Sequence, residues 1–363
     1  MSHVYDDQIV LPGLQRVLGL TVMPETETGQ DSYYSAPLLD LDTYDRVIVC
    51  MSGGKDSLAC LLHLIESGVD LARVELWHHE IDGREGSSLM DWSFMAEYNR
   101  QLAGAFGVSI YYSWLDGGFE GEMLKQNAYS RPHKFETPEG IVSLERNTNR
   151  EPATRMRFPQ QSANLQTRWC SSALKVDVAR RALNNQPRFN GRKVLFITGE
   201  RREESANRAK YYQLQVHSCD RRGGKMQRHV DAWRPVLDWP EEKVWEILER
   251  HNLIPPVPYR LGWNRSSCMT CIFNNARIWA TIVRYFPERA SRIQEYENQF
   301  GVTISRKRMT VIELSKTATP LEIDDVDALE QSTRFDYTLP ILAEPGAWKL
   351  PAGAFLRDEC GAP

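Results

Sequence analysis

Short apolar runs alternate with longer stretches of helical periodicity along the central part of the chain. Apolar residues three and four positions apart predict helices, and short β-branched runs predict strands. The predicted strands are 46–50, 74–79, 109–114 and 194–198, and the predicted helices are 57–67, 88–106, 173–184, 241–251 and 276–299. This alternation indicates an α/β fold with a doubly wound, mostly parallel sheet.

The remaining pattern predicts three parts: an N-terminal arm at 1–40, a core domain at 41–275, and a helical C-terminal extension with a tail at 276–363. Residues 117–166 are polar and poorly periodic, which predicts an insertion or mobile loop over a functional site.

Composition is that of an ordinary soluble protein, with 42% hydrophobic and 25% charged residues. No apolar stretch approaches the roughly 18 residues of a membrane span. The first residues are polar and acidic, unlike a signal peptide or a presequence, so we expect a cytoplasmic location. Seven cysteines in such a reducing compartment argue against a disulfide framework.

The most informative motif is Ser52-Gly-Gly-Lys-Asp-Ser57, between the first predicted strand and helix. Free N–H groups and the helix dipole make such a junction an anion site, and glycines let a ligand approach the backbone. The spacing is not that of a Walker A loop. A plain glycine turn is the alternative, which the added Lys-Asp-Ser makes the weaker interpretation.

Polar groups also follow two other predicted strands, at the edge where parallel strands present ligand sites. His78 and Asp82 follow the second strand, and only one of the adjacent histidines 78 and 79 is expected to act because their side chains point to opposite faces. Gly199, Arg201, Ser205 and Arg208 follow the fourth. Guanidinium pairs suit phosphate or sulfate oxygens, although internal salt bridges are an equal alternative.

Charge is uneven. Residues 145–228 hold 19 Lys or Arg against 7 Asp or Glu, while the whole chain has a net charge of −4. A basic middle in an acidic protein favours a polyanionic ligand, DNA among the candidates. Pairing of these arginines with nearby carboxylates, or binding of ATP alone, are the alternatives.

In order along the chain, these motifs resemble the phosphoadenosine phosphosulfate (PAPS) reductase family of the PP-loop ATP pyrophosphatase superfamily. The matching segments are Ser52–Ser57, Arg168-Trp-Cys170 with Leu174-Lys175, Gly199-x-Arg201-x-x-Glu204-Ser205, and Cys268-x-x-Cys271. The resemblance covers roughly 45–275. It implies an adenine nucleotide α-hydrolase-like (HUP type) fold whose core domain, 41–275, binds a nucleotide.

The resemblance also implies roles for individual residues. Ser52, Gly53, Gly54 and Ser57 would hold the departing pyrophosphate of ATP, with His78, Asp82, Gly199 and Ser205 as further nucleotide contacts. Lys55 would neutralise developing charge, and Arg201 and Arg208 would orient an acceptor. Asp56 would hold Mg²⁺, a cation that prefers carboxylate and phosphate oxygens, or would cap the helix.

Cysteines of this family in some members hold a [4Fe–4S] cluster. Here Cys170, Cys268 and Cys271 match that pattern, but Ser171 stands where an adjacent cysteine is expected, so Cys219 is the candidate fourth ligand. A cluster, a zinc site and ordinary reduced thiols are the three alternatives.

Two branches of the family fit the sequence. One is the ATP pyrophosphatase of DNA phosphorothioation (Dnd and Ssp) systems, which works with a cysteine desulfurase and has phage-encoded relatives. The other is a thiol-dependent PAPS or adenylyl-sulfate reductase that releases sulfite, with Cys360 as its tail nucleophile. A third alternative is an inactive nucleotide sensor in a phage-defence complex.

Overall fold

The computed structural model describes residues 32–85, 88–146 and 148–356. Most of the predicted N-terminal arm, and Cys360, lie outside the described residues. The strands are β1 Arg46–Cys50, β2 Val74–Glu80, β3 Ser109–Leu115, β4 His133–Thr137, β5 Gly140–Leu144, β6 Lys193–Ile197, β7 Leu214–Val216 and β8 His229–Trp233. The helices are α1 Lys55–Glu66, α2 Met95–Phe106, α3 Gly118–Met123, α4 Asp177–Asn184, α5 Glu241–Arg250, α6 Val257–Arg260, α7 Ala276–Tyr285, α8 Pro287–Phe300, α9 Val311–Ser315 and α10 Val326–Ser332.

The strands form one mostly parallel sheet in the order β5-β4-β3-β2-β1-β6-β8-β7. β1 pairs in parallel with β2 on one side and with β6 on the other. The chain therefore winds outward in both directions from the β1–β6 boundary, where ligands bind in open α/β sheets. The predicted α/β fold with a doubly wound, mostly parallel sheet is confirmed.

Several elements differ from the sequence prediction, among them the predicted helix 88–106, which begins only at Met95. The β4–β5 hairpin lies inside the predicted loop 117–166 and extends the sheet by antiparallel pairing to β3. β7 and β8 were not predicted. The predicted helix 276–299 is two helices, because Pro287 lacks the N–H that would continue α7.

Two apolar clusters fill the two faces of the sheet. The larger includes residues of α1, α2 and α5, and the smaller places α4 against alternate residues of β1, β6 and β8. Alternation of strand side chains between faces explains this division, since Val47 and Val49 enter one cluster and Ile48 the other. Among the described residues, no helix is both long and apolar enough to cross a membrane.

A buried carboxylate anchors the segment that follows α3. Glu122 is 3% exposed and accepts hydrogen bonds from Lys125 Nζ at 2.9 Å, Ser130 Oγ at 3.1 Å and Arg155 Nη2 at 2.8 Å. Arg155 also lies over the Trp169 ring, 4.6 Å from its centroid. The charged cluster therefore ties the 125–155 segment to the cavity wall described below.

We expect Glu122→Gln to lower the free energy of unfolding by about 3–5 kcal/mol, because two largely shielded cations, with side chains 9% and 20% exposed, lose their counter-charge. Urea denaturation measures this. The control is Glu97→Gln, whose partner Arg100 is 60% exposed and which we expect to cost about 1 kcal/mol or less. Equal losses in the two variants would contradict the anchoring role.

Candidate nucleotide site

The Ser52–Ser57 loop joins β1 to α1 in a conformation that requires glycine. Gly53 has φ +79°, and a Cβ there would lie 2.5 Å from Met95 Sδ. The Gly54 N–H donates to Ser52 Oγ at 3.2 Å, and Ser57 Oγ donates to the Gly54 carbonyl at 2.8 Å. The loop is thus fixed by its own serines at the N-terminus of α1, where an anion is favoured.

The side chains of Lys55 and Asp56, which belong to this loop, take part in a buried network of charges. Arg201 Nε donates to Asp56 Oδ1 at 2.5 Å, and Lys55 Nζ lies 3.7 Å from both Asp56 Oδ2 and Glu241 Oε1. Burial alone would raise the pKa of Asp56, but the Lys55 and Arg201 charges lower it below its ordinary value. Within the described residues, the side chains of Lys55, Asp56 and Arg201 do not line the cavity that is introduced below. Their contacts hold the first turn of α1.

The segment after β6 lies against the same turn. A Cβ on Gly199 would lie 2.8 Å from the backbone carbon and oxygen of Asp56, so this glycine permits close packing of the two segments. Further on, Ser205 and Arg208 line the cavity, and Arg208 forms an ion pair with Glu204. Of the two arginines predicted to orient an acceptor, Arg208 is the one at the cavity.

The polar residues at the carboxyl end of β2 and just beyond it also divide between the cavity and a structural role. His78 and His79 both line the cavity, and His78 Nδ1 lies 2.8 Å from the Met51 carbonyl, to which it donates. Burial lowers the pKa of both rings, that of His79 to about 3, so both are neutral at pH 7. Asp82 instead accepts the N–H groups of Met90 and Asp91 at 2.9 and 2.8 Å, a structural role.

A cavity of about 690 Å³ opens from Ser52 across the carboxyl ends of β1 and β6. Its charged side chains are mostly cationic: Arg168, Lys175, Arg180, Arg208, Arg234 and Arg265, against Asp91 and Glu200. Burial alone would lower the pKa of Lys175, but nearby thiols and Asp91 raise it, so this ammonium is charged. The arrangement suits an extended anionic ligand.

Sequence analysis missed several of these groups as site residues. Arg168 and Lys175 flank Cys170 within a quoted motif, so their spacing was a usable signal. No sequence signal marked Asp91 and Arg265 as site residues, because loops that are far apart in the sequence bring them to the cavity.

The four candidate metal-binding cysteines are not gathered into one site. Cys170, Cys268 and Cys271 line the cavity, and burial, followed by the neighbouring Cys271, raises the pKa of Cys170 to about 11. Cys219 belongs to the apolar cluster under α4, where its Sγ lies 3.6 Å from Asn184 Nδ2. Among the described residues, no three His, Cys, Asp or Glu side chains are arranged to hold a metal ion. The residues therefore do not fit a four-thiolate cluster.

Much of the basic middle is paired internally. The arginines that form ion pairs with carboxylates are Arg155, Arg180, Arg188, Arg192, Arg201, Arg202, Arg208 and Arg222. The alternative interpretation, salt bridges in place of a free basic surface, thus accounts for a large share of the charge excess.

Comparison with known proteins supports the predicted resemblance over part of the chain. Residues 132–274 match the family described as phosphoadenosine phosphosulfate reductase domain. This part of the chain is therefore similar to the PAPS reductase family that the sequence motifs resemble. The matched range contains the Arg168–Lys175, Gly199–Ser205 and Cys268–Cys271 motifs, while the glycine loop precedes it.

Two individual proteins are similar to this chain. An uncharacterized 37.8 kDa protein from Escherichia phage 186 is 24% identical over 275 residues, which cover 72% of this chain and 78% of the phage protein. The crystal structure of Candida glabrata FMN adenylyltransferase with FAD and inorganic pyrophosphate has a TM-score of 0.37 and 12% identity, covering 87% of this chain and 78% of that one. Likeness at that level says nothing about substrate.

Proposed function

We propose that the protein is an ATP pyrophosphatase that adenylates an acceptor for sulfur transfer. The observation that carries the proposal is the glycine loop at the N-terminus of α1, whose first residue, Ser52, lines a cationic cavity at the β1–β6 boundary. Loop and helix terminus suit a departing pyrophosphate, and the cationic lining suits a second anionic group.

In this proposal the β and γ phosphates of ATP lie at Gly53 and Gly54. An acceptor oxygen attacks the α phosphorus, the bond to the bridging oxygen breaks, and pyrophosphate leaves. Arg208, Lys175 and Arg168, which line the cavity, stabilise charge on the acceptor and the AMP moiety. Sulfur from a donor persulfide then displaces AMP from the acceptor, and a further thiol cleaves the remaining S–S bond.

The proposal assigns no reaction step to either predicted inorganic cofactor, Mg²⁺ or the [4Fe–4S] cluster. The Asp56 carboxylate is engaged by Arg201 and Lys55, so it does not present a free ligand set for Mg²⁺. Mg²⁺ that arrives with ATP is bound largely by phosphate oxygens and water. The separation of Cys219 from the other thiols leaves the [4Fe–4S] assignment without its fourth ligand.

The acceptor and donor complete the proposal. The cavity cations favour an anionic acceptor, and a DNA backbone phosphate is the acceptor we propose, with a cysteine desulfurase as the sulfur donor. This follows the resemblance to the phosphorothioation branch. The similarity to a phage protein is compatible with that setting.

A product assay tests the proposal. Purified protein is incubated with MgATP or with PAPS, in the presence of DNA and a persulfide-loaded desulfurase, and nucleotides are separated by chromatography. We expect AMP and pyrophosphate from ATP. Ser52→Ala should reduce the rate about 10- to 100-fold, because it removes a group that orders the loop. Ser67→Ala, a matched serine at the far end of α1, should leave it unchanged. ADP as the product would contradict the proposal.

The second candidate is a thiol-dependent PAPS reductase, which the matched family description favours. It predicts sulfite release from PAPS with thioredoxin and no consumption of ATP. Loss of that release in Cys360→Ser, with MgATP left intact by the wild type, would establish this candidate over the first.

A further inference from the structure

Tyr259 is a buried side chain whose hydroxyl reaches the glycine loop from a distant part of the chain. It lies on α6, is 1% exposed, and its ring packs edge-on against Trp245 with centroids 5.2 Å apart. The Lys55 N–H donates to Tyr259 Oη at 2.9 Å.

The hydroxyl lies beside the second glycine of the loop. A Cβ on Gly54 would be 3.3 Å from Ser52 Oγ, 3.6 Å from Tyr259 Oη and 3.7 Å from the Ser266 carbonyl oxygen. Three oxygens therefore border the space above the second glycine. Ser266 also lines the cavity, so this space adjoins the cavity wall.

A phenol oxygen that accepts backbone N–H groups keeps one proton of its own to donate. Burial raises the pKa of Tyr259, which therefore remains protonated at neutral pH. The Lys55 N–H bond and the Trp245 contact fix the ring, so the donor is oriented before any ligand arrives.

We propose that Tyr259 donates this proton to a terminal phosphate oxygen of the nucleotide held in the loop. This inference rests on the proposed function and adds a ligand-binding residue that the loop itself does not contain. The competing role is purely structural: Oη caps the Lys55 N–H and thereby occupies a donor that phosphate would otherwise use. The two roles predict opposite changes when the hydroxyl is removed.

Calorimetric binding of inorganic pyrophosphate to Tyr259→Phe separates them. We expect the Kd to rise about 10- to 150-fold, the range for loss of a hydrogen bond to a charged group. The control is Tyr98→Phe, another buried tyrosine, whose hydroxyl donates to the Ile254 carbonyl at 2.9 Å; its Kd should stay within about twofold of the wild type. Unchanged or tighter binding by Tyr259→Phe would overturn the inference.

A second variant covers the case in which Tyr259→Phe folds poorly. Site-specific 3-fluorotyrosine at 259 keeps the shape but makes the phenol a stronger donor and a weaker acceptor. Pyrophosphate should bind more tightly to it; equal or weaker binding would contradict donation. A wild type that binds pyrophosphate without splitting ATP would refute the proposed function alone, whereas one that binds no pyrophosphate would refute both.

Discussion

Gly53→Ala is expected to lower kcat/KM for nucleotide turnover by about 100-fold or more. The added methyl meets Met95 Sδ at 2.5 Å at a φ of +79°, so the loop must shift to relieve both the clash and the backbone strain. A displacement of about 1 Å at a phosphate-binding loop is enough for an effect of this size. Steady-state kinetics on the substrate identified by the product assay measure it.

Gly68→Ala is the matched control for this change. Gly68 has φ +72°, so alanine there carries similar backbone strain, but a Cβ would have nothing within 4 Å. We expect a small loss of stability, about 1 kcal/mol, with kcat/KM unchanged. Comparable kinetic loss in the two variants would show that strain anywhere near α1 is responsible, and would remove the case for the loop.

Asp56→Asn is expected to lower the free energy of unfolding by about 3–5 kcal/mol at about pH 6, because Arg201 and Lys55 lose a buried counter-charge. Arg201 is 3% exposed and Lys55 5%, so solvent cannot replace the carboxylate. The control is Asp238→Asn, which removes a second Asp–Arg pair whose Asp238 side chain is 44% exposed. That change should cost about 1 kcal/mol or less. Urea denaturation of both variants makes the comparison.

The pH dependence gives a separate check on Asp56. Its pKa in the folded protein lies below its ordinary value of 3.8. A lowered carboxyl pKa contributes stability above the unfolded value, and that contribution is lost as pH falls through the folded value. The difference in stability between wild type and Asp56→Asn should therefore be constant above about pH 5 and shrink below 3.8. A difference that grows on acidification would contradict the ion-pair assignment.

The local pattern of apolar residues was sufficient to predict the central strands of the sheet. The predicted strand 46–50 matches β1, and the other three predicted strands match β2, β3 and β6 to within one residue at either end. These strands are buried apolar runs next to turn residues, so periodicity and composition agree. β4 and β5 lie at the sheet edge with exposed residues such as Ile141, and their polar alternation resembles a loop.

The candidate site, like the fold, was predictable from the sequence only in part. The glycine loop was predictable because helix termini and glycines impose a local requirement that the sequence displays. The partners of Lys55 and Asp56 were not, since Glu241 and Arg201 lie far along the chain and only the fold brings them together. Tyr259 and Arg265 reach the loop and cavity for the same reason.

The most direct test of the account is a structure of the complex with α,β-methylene-ATP, an analogue that cannot be split between its α and β phosphates. The account predicts the β and γ phosphates at the backbone of Gly53 and Gly54, with the adenylate moiety extending toward Arg208 and Lys175. Phosphates bound elsewhere, with the loop making no contact to them, would contradict it.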